Sequence, residues 1–499
     1  MQIRNREIFI KDLVKVARDF ENVTISSETR SRVSSSRKIV DDAVSSGKII
    51  YGVTTGFGAF KDRVIDKDQT EKLQENLILS HSVGVGNYLP TETVRGIIFL
   101  MINYLSKGYS GIKWETLNTL TQMLNKGVHP LVPEKGSVGS SGDLAPSAHV
   151  ALVLIGKGEA EFKNKKMSGS QAMKLAGIKP VILSSKEGLA IINNTSTMTS
   201  IASLLLYDVQ WLTKISNIAT ALSLQALRGT DKAYDIRVHK IKPHKKQIET
   251  AQYLQKLIKG STFIDRNRVQ EAYSFRCAPQ IHGAIGEAMT YVESVVSTEI
   301  NSVTDNPLIF TENGIEVISG GNFHGEPVAI AMDTCGIALS EVGNVAERRV
   351  AALVDPSTNN GLPAFLVEEG GLNSGLMIMQ YTAASLVSEN KILAHPASVD
   401  SIPTSANVED LVSMGTIAAR KAREIFENVS NVLTIELIVS CQAIDMREKL
   451  NDPSLRLSPM TQKFYNRIRK IVPYFGKDTI YYPYMRSLRD NLKNLADLI

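Results

Sequence analysis

The chain has 499 residues, 43% of them hydrophobic and 21% charged, a balance typical of an ordinary globular protein and not of a fibrous or disordered one. Its formal net charge of +5 is spread thinly, without a dense basic block, so no nucleic-acid partner is expected. Cys277, Cys335 and Cys441 form no CxxC pair and predict neither a zinc site nor a disulfide framework.

In chain order, the N-terminal segment 1–20 carries charges throughout, which does not fit a signal peptide. Two short pieces favour strands: KIIYGV at residues 48–53 and KPVIL at residues 179–183. Residues 143–156 predict a short helix, with Asp143 as its N-cap. Gly- and Pro-rich loops surround these pieces. We therefore expect residues 1–200 to form a mixed N-terminal domain.

Long helices dominate the rest of the chain. Residues 326–354, 374–393 and 410–444 have apolar positions at helical spacing on several faces, with many Ala and Gly. Small residues on all sides let helices approach closely, as inside a bundle. We expect a mainly α protein in which residues 201–499 form a central helical bundle with C-terminal helices.

No uncharged apolar run reaches the roughly 18–20 residues that a membrane span needs, so no membrane attachment is expected. Scattered cysteines without a pairing pattern favour reduced thiols. Together these features predict a cytoplasmic location.

The loop at residues 136–143 reads GSVGSSGD and precedes the short helix. A glycine-rich loop before a helix first suggests a phosphate-binding site. The loop lacks the Lys of a P-loop, and the preceding VHPLVPEKG is broken by two prolines, so a nucleotide-binding module is disfavoured. A plain flexible turn is the alternative that spacing alone leaves open.

Ser140, Ser141 and Gly142 have the parts for a different chemistry. A backbone nitrogen can attack the carbonyl carbon two residues earlier and close a five-membered ring, and Gly is the least obstructed attacker. If the middle residue is Ser, its hydroxyl can leave as water and generate an electrophilic C=CH2 group. The spacing therefore allows an electrophile made from the chain itself.

This loop resembles the signature of the aromatic amino acid ammonia-lyases, which make 4-methylidene-imidazol-5-one (MIO) from an X-Ser-Gly tripeptide. Ser140 stands where the family usually has Ala, at a place that contributes only its carbonyl to the ring. Further segments match in the family's order over about residues 45–447. They read YGVTTGFGAF, NLILSHSVGVG, QEAYSFRCAPQ, SVTDNPLIF, ISGGNFHGEPVA, SENKILAHPASVDSIPTSANVEDLVSMG and CQAIDMR.

The resemblance implies a fold, a cofactor and an assembly. The fold is the fumarase-like one, mostly helical around a central bundle, with the MIO loop in the smaller N-terminal domain. MIO would form autocatalytically from Ser140-Ser141-Gly142, with no metal and no added organic cofactor. The protein would be a homotetramer that acts on a small amino acid, with active sites shared between chains, and a monomer would be inactive.

The resemblance also assigns roles. Tyr51 matches the proposed base that removes the β-proton, and Arg276 matches the residue that holds the substrate carboxylate with its two-pronged donor. Tyr273 and Gln270 line the same site, and Tyr273 is counted with Tyr51 and Ser141 among the catalytic groups. Without the resemblance, a tyrosine packed against Gly-rich turns would be the preferred interpretation of Tyr51. A structural ion pair is the alternative for Arg276.

Four further positions follow from the same match. Asn193 contacts the cofactor and the substrate, and Phe323 lines the pocket. Glu409, counted as catalytic, accepts a hydrogen bond from an imidazole or from the leaving ammonium. Asp143 moves protons during ring closure.

Substrate preference depends on Ser80-His81. Phenylalanine-specific members have Phe-Leu at this pair and tyrosine-specific members His-Leu, whereas Ser-His is the histidine type. The implied reaction is therefore elimination of ammonia from L-histidine to give trans-urocanate, the first step of histidine degradation.

Several positions near the pocket depart from the family. Asn194 replaces a Gly and brings a side chain towards the cofactor, while Val408 and Leu411 replace a Gln and a His. QDxYS has become QEAYS. These changes leave open a lyase or aminomutase for tyrosine, phenylalanine or a modified histidine. A helical assembly protein without activity is a further alternative, which the joint presence of Tyr51, Ser141, Gly142 and Arg276 disfavours.

Overall fold

A computed structural model describes residues 1–4, 7–50, 52–56, 65, 69–311, 315–450 and 452–498. Helices account for 59% of the residues and strands are short, so the expectation of a mainly α protein is confirmed. The helices are α1 Ile10–Arg18, α2 Ser27–Ser45, α3 Thr70–His81, α4 Thr91–Ser106, α5 Trp114–Lys126, α6 Leu144–Leu154, α7 Gly169–Leu175, α8 Glu187–Ile192, α9 Ser196–Ala226, α10 Ile236–Lys240, α11 Lys245–Ile258, α12 Tyr273–Arg276, α13 Ala278–Glu299, α14 Glu326–Val354, α15 Met377–Leu393, α16 Gly415–Leu450, α17 Pro459–Arg469, α18 Tyr482–Asp490 and α19 Leu492–Ala496.

The described strands form small sheets. β1 pairs with β2 in parallel, while β3 with β5, β4 with β6 and β7, and β8 with β9 are antiparallel. Their bounds are β1 Gln2–Ile3, β2 Thr24–Ile25, β3 Val85–Tyr88, β4 Val128–Pro130, β5 Pro133–Lys135, β6 Glu159–Phe162, β7 Lys165–Ser168, β8 Leu308–Phe310 and β9 Glu316–Ile318.

The chain divides into two compact units. Unit 1 consists of Met1–Tyr207, Glu293–Asp333 and Pro396–Arg420, and it contains all of the described strands. Its core includes α4, whose residues are buried from its third position onwards. A Cβ at Gly96 of α4 would lie 2.2 Å from Ser200 Oγ, so a glycine is required where α4 and α9 approach.

Unit 2 consists of Asp208–Val292, Thr334–His395 and Lys421–Ile499. In it, α14 and α16 pack through small residues: a Cβ at Gly336 would lie 3.1 Å from Ile425 Cδ1 and 3.8 Å from the Cα atom of Ala422. This close approach agrees with the small residues that the sequence places on every face of α14. The division at residue 200 remains a prediction, because the compact grouping joins two later segments to the N-terminal residues.

The long helices were predictable and the strands were not. The helix predicted over 326–354 is α14 residue for residue, and those over 374–393 and 410–444 are α15 and α16 with ends shifted by a few residues. The strand predictions are wrong: residues 179–183 and 48–50 lie in loops, and residues 52–53 form a turn. Val53 and Leu183 are buried, whereas Ile49 and Ile182 are exposed by 69% and 74%, so these short apolar runs do not form paired strands.

Three helical segments are long and apolar enough to cross a membrane by length and composition alone: 187–226, 326–354 and 415–450. Their most apolar windows are 100%, 72% and 89% buried inside the protein. Apolar residues on every face of these helices are thus accounted for largely by packing between helices.

Candidate active site

The serine- and glycine-rich loop 136–143 joins β5 to α6. Its backbone is left-handed at Gly139 and Gly142, with φ of +72° and +70°. A Cβ at Gly142 would lie 2.2 Å from the carbonyl oxygen of Asn194, and one at Gly139 would lie 2.3 Å from Ser413 Oγ. Only glycine tolerates both the dihedral and the contact. The loop is therefore held tightly at the residue whose nitrogen would close the ring.

Asp143 stands at the N-cap position of α6, but its side chain makes no capping hydrogen bond there, so the predicted capping role is wrong. The fully buried carboxylate instead accepts hydrogen bonds from Ser137 Oγ at 2.9 Å, from the Met198 amide at 2.9 Å and from Thr416 Oγ1. Burial raises the pKa of Asp143, and these neutral donors lower it in part, Thr416 foremost. A carboxyl group held this way can exchange a proton closer to neutral pH than a surface aspartate.

Asn193 follows α8 and contacts the loop directly. Its Nδ2 donates a hydrogen bond to the carbonyl oxygen of Ser141 at 2.7 Å. This is the carbonyl that would stay in the ring beside the new C=CH2 group. A donor at this oxygen withdraws electron density from the conjugated system and so favours its electrophilic character.

The Asn194 side chain does not point towards the loop, which corrects the expectation from sequence. Its Nδ2 donates to the Ile191 carbonyl at 2.7 Å and to Ser147 Oγ at 3.3 Å, and its Oδ1 accepts from the Ser196 amide at 2.8 Å. Its carbonyl oxygen faces the loop and accepts from the Asp143 amide at 2.6 Å. Asn194 therefore anchors the start of α9 and leaves the pocket unobstructed.

Glu409 is presented by a tight turn. The main chains of Thr404 and Glu409 exchange hydrogen bonds of 2.9 and 3.3 Å. Between them Ser405, Ala406 and Asn407 are all left-handed, with φ of 52°, 53° and 65°. Such a run of non-glycine residues costs conformational energy and is typical of a functional loop.

The Glu409 carboxylate connects this turn to the serine-rich loop. It accepts hydrogen bonds from Ser141 Oγ at 3.0 Å, from Ser140 Oγ and from Thr404 Oγ1 at 3.3 Å. Residues more than 250 positions apart in sequence thus meet at one carboxylate.

His81 ends α3 beside these groups. Its Nδ1 lies 3.0 Å from Ser80 Oγ, which fixes the ring orientation. Burial lowers the pKa of His81, while the Leu77 carbonyl and the Glu409 carboxylate act in the opposite direction. The imidazole is therefore neutral at neutral pH and can donate with one nitrogen and accept with the other.

A cavity of about 640 Å³ opens at the serine-rich loop. Ser140, Ser141 and Glu409 form its polar floor, and Phe323, Val408 and Leu411 add apolar surface. The other lining residues are Ile49, Thr55, Asn306, Ser319, Gly320, His324 and Asp410. A volume of this size suits a small organic ligand.

A second group of predicted residues lies in unit 2. Arg276 Nη1 donates to Gln270 Oε1 at 2.8 Å, and the guanidinium carbon lies 4.6 Å from the centroid of the Tyr273 ring. The Nε atom of Arg276 is buried and, within the part of the chain that the structure describes, has no hydrogen-bond partner. Arg276, Tyr273 and Gln270 therefore come together as predicted.

Tyr51 lies outside the described residues, so its predicted role as a base stays a prediction. Among the residues that the structure describes, no group of three or more His, Cys, Asp or Glu side chains could hold a metal ion.

Sequence reasoning missed several contributors. Ser137 and Thr416 hold Asp143, Thr404 holds Glu409, and Asn306 lines the cavity. Ser137 lies within the motif and could have been found from it. The hydroxyl of Thr416 carries no local signal, because an isolated Thr at a helix start is ordinary.

The aromatic amino acid lyase family matches residues 8–470 of this chain. A histidine ammonia-lyase from Alkaliphilus oremlandii is 55% identical over 485 residues, which are 97% of this chain and 94% of that relative.

Two solved structures have the same fold. Histidine ammonia-lyase from Trypanosoma cruzi superimposes with a TM-score of 0.91 at 37% identity, covering 100% of this chain and 95% of that one. Phenylalanine aminomutase from Pantoea agglomerans gives 0.94 at 35% identity, covering 99% and 98%. The fold therefore accommodates more than one outcome, and the residues of the site must decide between them.

Proposed function

The chain belongs to the aromatic amino acid lyase family, and on this premise we propose that it eliminates ammonia from L-histidine to give trans-urocanate. It is a carbon–nitrogen lyase. One observation supports histidine in particular: the Glu409 carboxylate bonds both loop serines and lies within electrostatic range of the neutral His81 imidazole. A substrate imidazole has two ring nitrogens that need partners, and this pair offers both an acceptor and a donor.

We propose MIO, formed from Ser140-Ser141-Gly142, as the cofactor, because the loop fits it. Gly142 has the left-handed φ and the close contact that exclude any side chain at the attacking residue. Asn193 bonds the carbonyl that the ring retains, and Asp143 is buried beside the ring nitrogen. When present, the ring supplies an electrophile that draws electrons from the substrate and eases loss of its amine.

The chain's own residues supply the remaining tasks. Tyr51 is proposed as the base for the β-proton, which typically contributes about 10²–10⁴-fold. Arg276 binds the substrate carboxylate in a bidentate manner. Glu409 holds the imidazole or receives the leaving ammonium through its carboxylate.

We also propose a homotetramer with active sites shared between chains. Supporting it, α15 exposes Ile378, Tyr381 and Ile392, with 56%, 59% and 75% of their surface accessible, which is unusual for large apolar side chains on one helix. A cytoplasmic location is proposed because Cys277, Cys335 and Cys441 are all unpaired thiols.

A modified histidine is the second candidate substrate. Val408 and Leu411 line the cavity with 51% and 61% of their surface exposed, so one wall is apolar. That wall could take a methyl group on the imidazole or on the amine more readily than a polar wall would.

Steady-state kinetics with L-histidine, an N-methylated histidine, L-tyrosine and L-phenylalanine, followed by absorbance of the conjugated product, test the substrate. We expect L-histidine to have the highest kcat/KM. A phenyl ring leaves two polar groups unpaired at about 1–3 kcal/mol each, on the order of a thousandfold discrimination.

His81→Leu should shift the ratio towards tyrosine and phenylalanine. His244→Leu, which removes an exposed histidine of unit 2, should leave it unchanged. A higher kcat/KM for either phenyl substrate with the unaltered protein contradicts the histidine assignment, and a higher value for the methylated substrate selects the second candidate.

A further inference from the structure

Besides the buried Asp143, a second, partly buried carboxylate lies at the start of α9. Asp143 accepts a hydrogen bond from the Met198 amide in the first turn of this helix. Glu299, the last residue of α13, accepts a hydrogen bond from Thr195 Oγ1, directly before the helix. The single turn 195–199 therefore touches both acids.

Glu299 lines two cavities of different kinds. The outer cavity, about 680 Å³ and open to solvent, also contains Tyr109, His324 and Glu326. The inner cavity, about 10 Å³, is lined by Glu299 together with Thr195, Thr199 and other polar residues. Its volume is about that of one water molecule. Glu299 therefore borders both the solvent-open outer cavity and the inner cavity at the start of α9.

The inner cavity contains an unsatisfied group. Among the described residues, the buried Thr199 Oγ1 has no hydrogen-bond partner. Buried hydroxyls are normally paired with protein or with ordered water. The inner cavity has room for one water molecule, which would give this hydroxyl a partner.

The two acids are electrostatically coupled. Burial raises the pKa of Glu299 most, Thr195 lowers it, and the charge of Asp143 raises it again. The charge of Asp143 therefore favours the protonated form of Glu299.

The neighbouring ionisable groups are not placed to supply a proton instead of Glu299. Burial raises the pKa of Tyr104, which stays neutral, and Asp305 is paired with Lys186 at 2.6 Å. His324 and Glu326 line the outer cavity but not the inner one, and His324 also lines the cavity at the serine-rich loop. Glu299 is therefore the acid placed to face both solvent and the Asp143 side of the turn.

We propose that Glu299 supplies and recovers the protons that Asp143 moves while the ring at residues 140–142 closes, an inference that rests on the proposed function. The Gly142 nitrogen bonds to the Ser140 carbonyl carbon. The carbonyl oxygen leaves as water with the amide hydrogens of Ser141 and Gly142. The Ser141 hydroxyl leaves as a second water with the hydrogen from the Ser141 Cα, and the double bond forms.

Each departure moves a proton from nitrogen or carbon to oxygen. Asp143 accepts these protons as a carboxylate, and Glu299 delivers protons as an acid through the Thr195 hydroxyl and a water molecule in the inner cavity. Both carboxyl groups end in their starting states, so no oxidant, reductant or other co-reactant is needed. Glu299 acts through Asp143 and does not contact the reacting atoms.

The test follows ring closure by mass and not by lyase activity. Full-length chain is made in a short cell-free pulse and moved into buffers from about pH 5.5 to pH 9. Trypsin then releases the peptide Gly136–Lys157, and its mass is followed with time. Closure appears as loss of two waters. We expect the wild-type rate to rise with pH as Asp143 ionises and to fall again as Glu299 ionises.

Glu299→Gln keeps an oxygen for the Thr195 hydroxyl but cannot deliver a proton. We expect its maximal closure rate to fall by about a hundredfold and the decrease at alkaline pH to disappear. Glu299→Asp should restore that decrease. Glu326→Gln, which changes the other carboxylate of the outer cavity, is the matched control and should leave rate and profile unchanged.

The outcomes separate the two proposals. A wild-type peptide that never loses two waters overturns the proposed function itself. Closure in the wild type with an unaltered rate and profile in Glu299→Gln overturns the role of Glu299 alone. A slower rate that keeps the alkaline decrease shows a merely structural role and overturns it as well.

Thr199→Val provides a second test if Glu299→Gln does not fold. It removes only a hydroxyl that lacks a partner among the described residues, so the fold is expected to tolerate it. We expect closure to slow several-fold with the same profile, and an unchanged rate contradicts the relay.

Discussion

Asp143 in unit 1 and Glu436 in unit 2 are both fully buried carboxylates, but their partners differ in kind. Glu436 accepts two hydrogen bonds from Arg349, at 2.5 Å from Nε and 2.9 Å from Nη2, and a third from Ser223 Oγ at 2.7 Å. Among the described residues, Asp143 is held by hydroxyls and main-chain amides. A guanidinium is a charged donor, whereas the donors to Asp143 are neutral and offset only in part the rise in its pKa on burial.

The backbone explains this difference. Arg349 and Glu436 lie within α14 and α16, where the main chain satisfies itself, so a buried charge must be paired by another side chain. Asp143 lies between a loop and a helix, close to the free amides at the start of α9. Irregular backbone can therefore hold an acid without a cation, which makes the acid available for proton transfer.

The first prediction tests the chemistry of the serine-rich loop in unit 1. Ser141→Ala should fold normally but lose the two-water mass change and all lyase activity above background, because the hydroxyl that must leave is gone. Ser140→Ala is the matched control, since both hydroxyls bond Glu409 but Ser140 gives only its carbonyl carbon to the ring. Peptide mass and product absorbance measure both variants; activity in Ser141→Ala is incompatible with the proposed cofactor.

The second prediction tests the buried ion pair of unit 2. Glu436→Gln leaves the fully buried Arg349 without a counter-charge and should lower the free energy of unfolding by about 3–5 kcal/mol. Replacing both residues, as Arg349→Met with Glu436→Leu, should cost much less. Urea unfolding measures both, and a single variant as stable as the wild type would show that the pair does not stabilise unit 2.

The third prediction tests whether Arg276, an arginine of unit 2, binds the substrate carboxylate. Arg276→Lys replaces a two-pronged donor by a point charge and should lower kcat/KM about ten- to a hundredfold, the equivalent of one charge-assisted hydrogen bond at about 1.5–3 kcal/mol. Arg348→Lys, which keeps the charge of an exposed side chain paired with the buried Glu347, should have little effect on kcat/KM. Equal kinetics for wild type and Arg276→Lys would remove Arg276 from the carboxylate site.

The fourth prediction has the smallest expected effect. It tests whether Asn194 in unit 1 stabilises the fold without taking part in catalysis. Asn194→Ala removes the hydrogen bond to the Ser196 amide at the start of α9 and should lower the free energy of unfolding by about 1 kcal/mol. Because the side chain points away from the serine-rich loop, kcat/KM for L-histidine should stay within about twofold of the wild-type value. A large kinetic loss without a change in stability would place this side chain in the pocket after all.

The sequence alone determined the long helices and identified Ser140-Ser141-Gly142 as the tripeptide proposed to cyclise. Helical periodicity with small residues on every face is a local property, and α14 follows it to the residue. The requirement for glycine at position 142 is also local in origin, since the attack geometry and the left-handed φ both exclude a side chain. The grouping of Arg276 with Tyr273 and Gln270 was visible because they lie within seven residues of each other.

Tertiary structure alone decided which groups hold the acids. Thr416 reaches Asp143 across 273 positions of sequence, and the turn carrying Glu409 reaches Ser140 across 269. Neither contact leaves a periodic or spacing signal, because hydrogen bonds between distant loops are set by how the helices pack. The same reason hid Glu299: only the packed chain shows that this helix-end glutamate shares the first turn of α9 with Asp143.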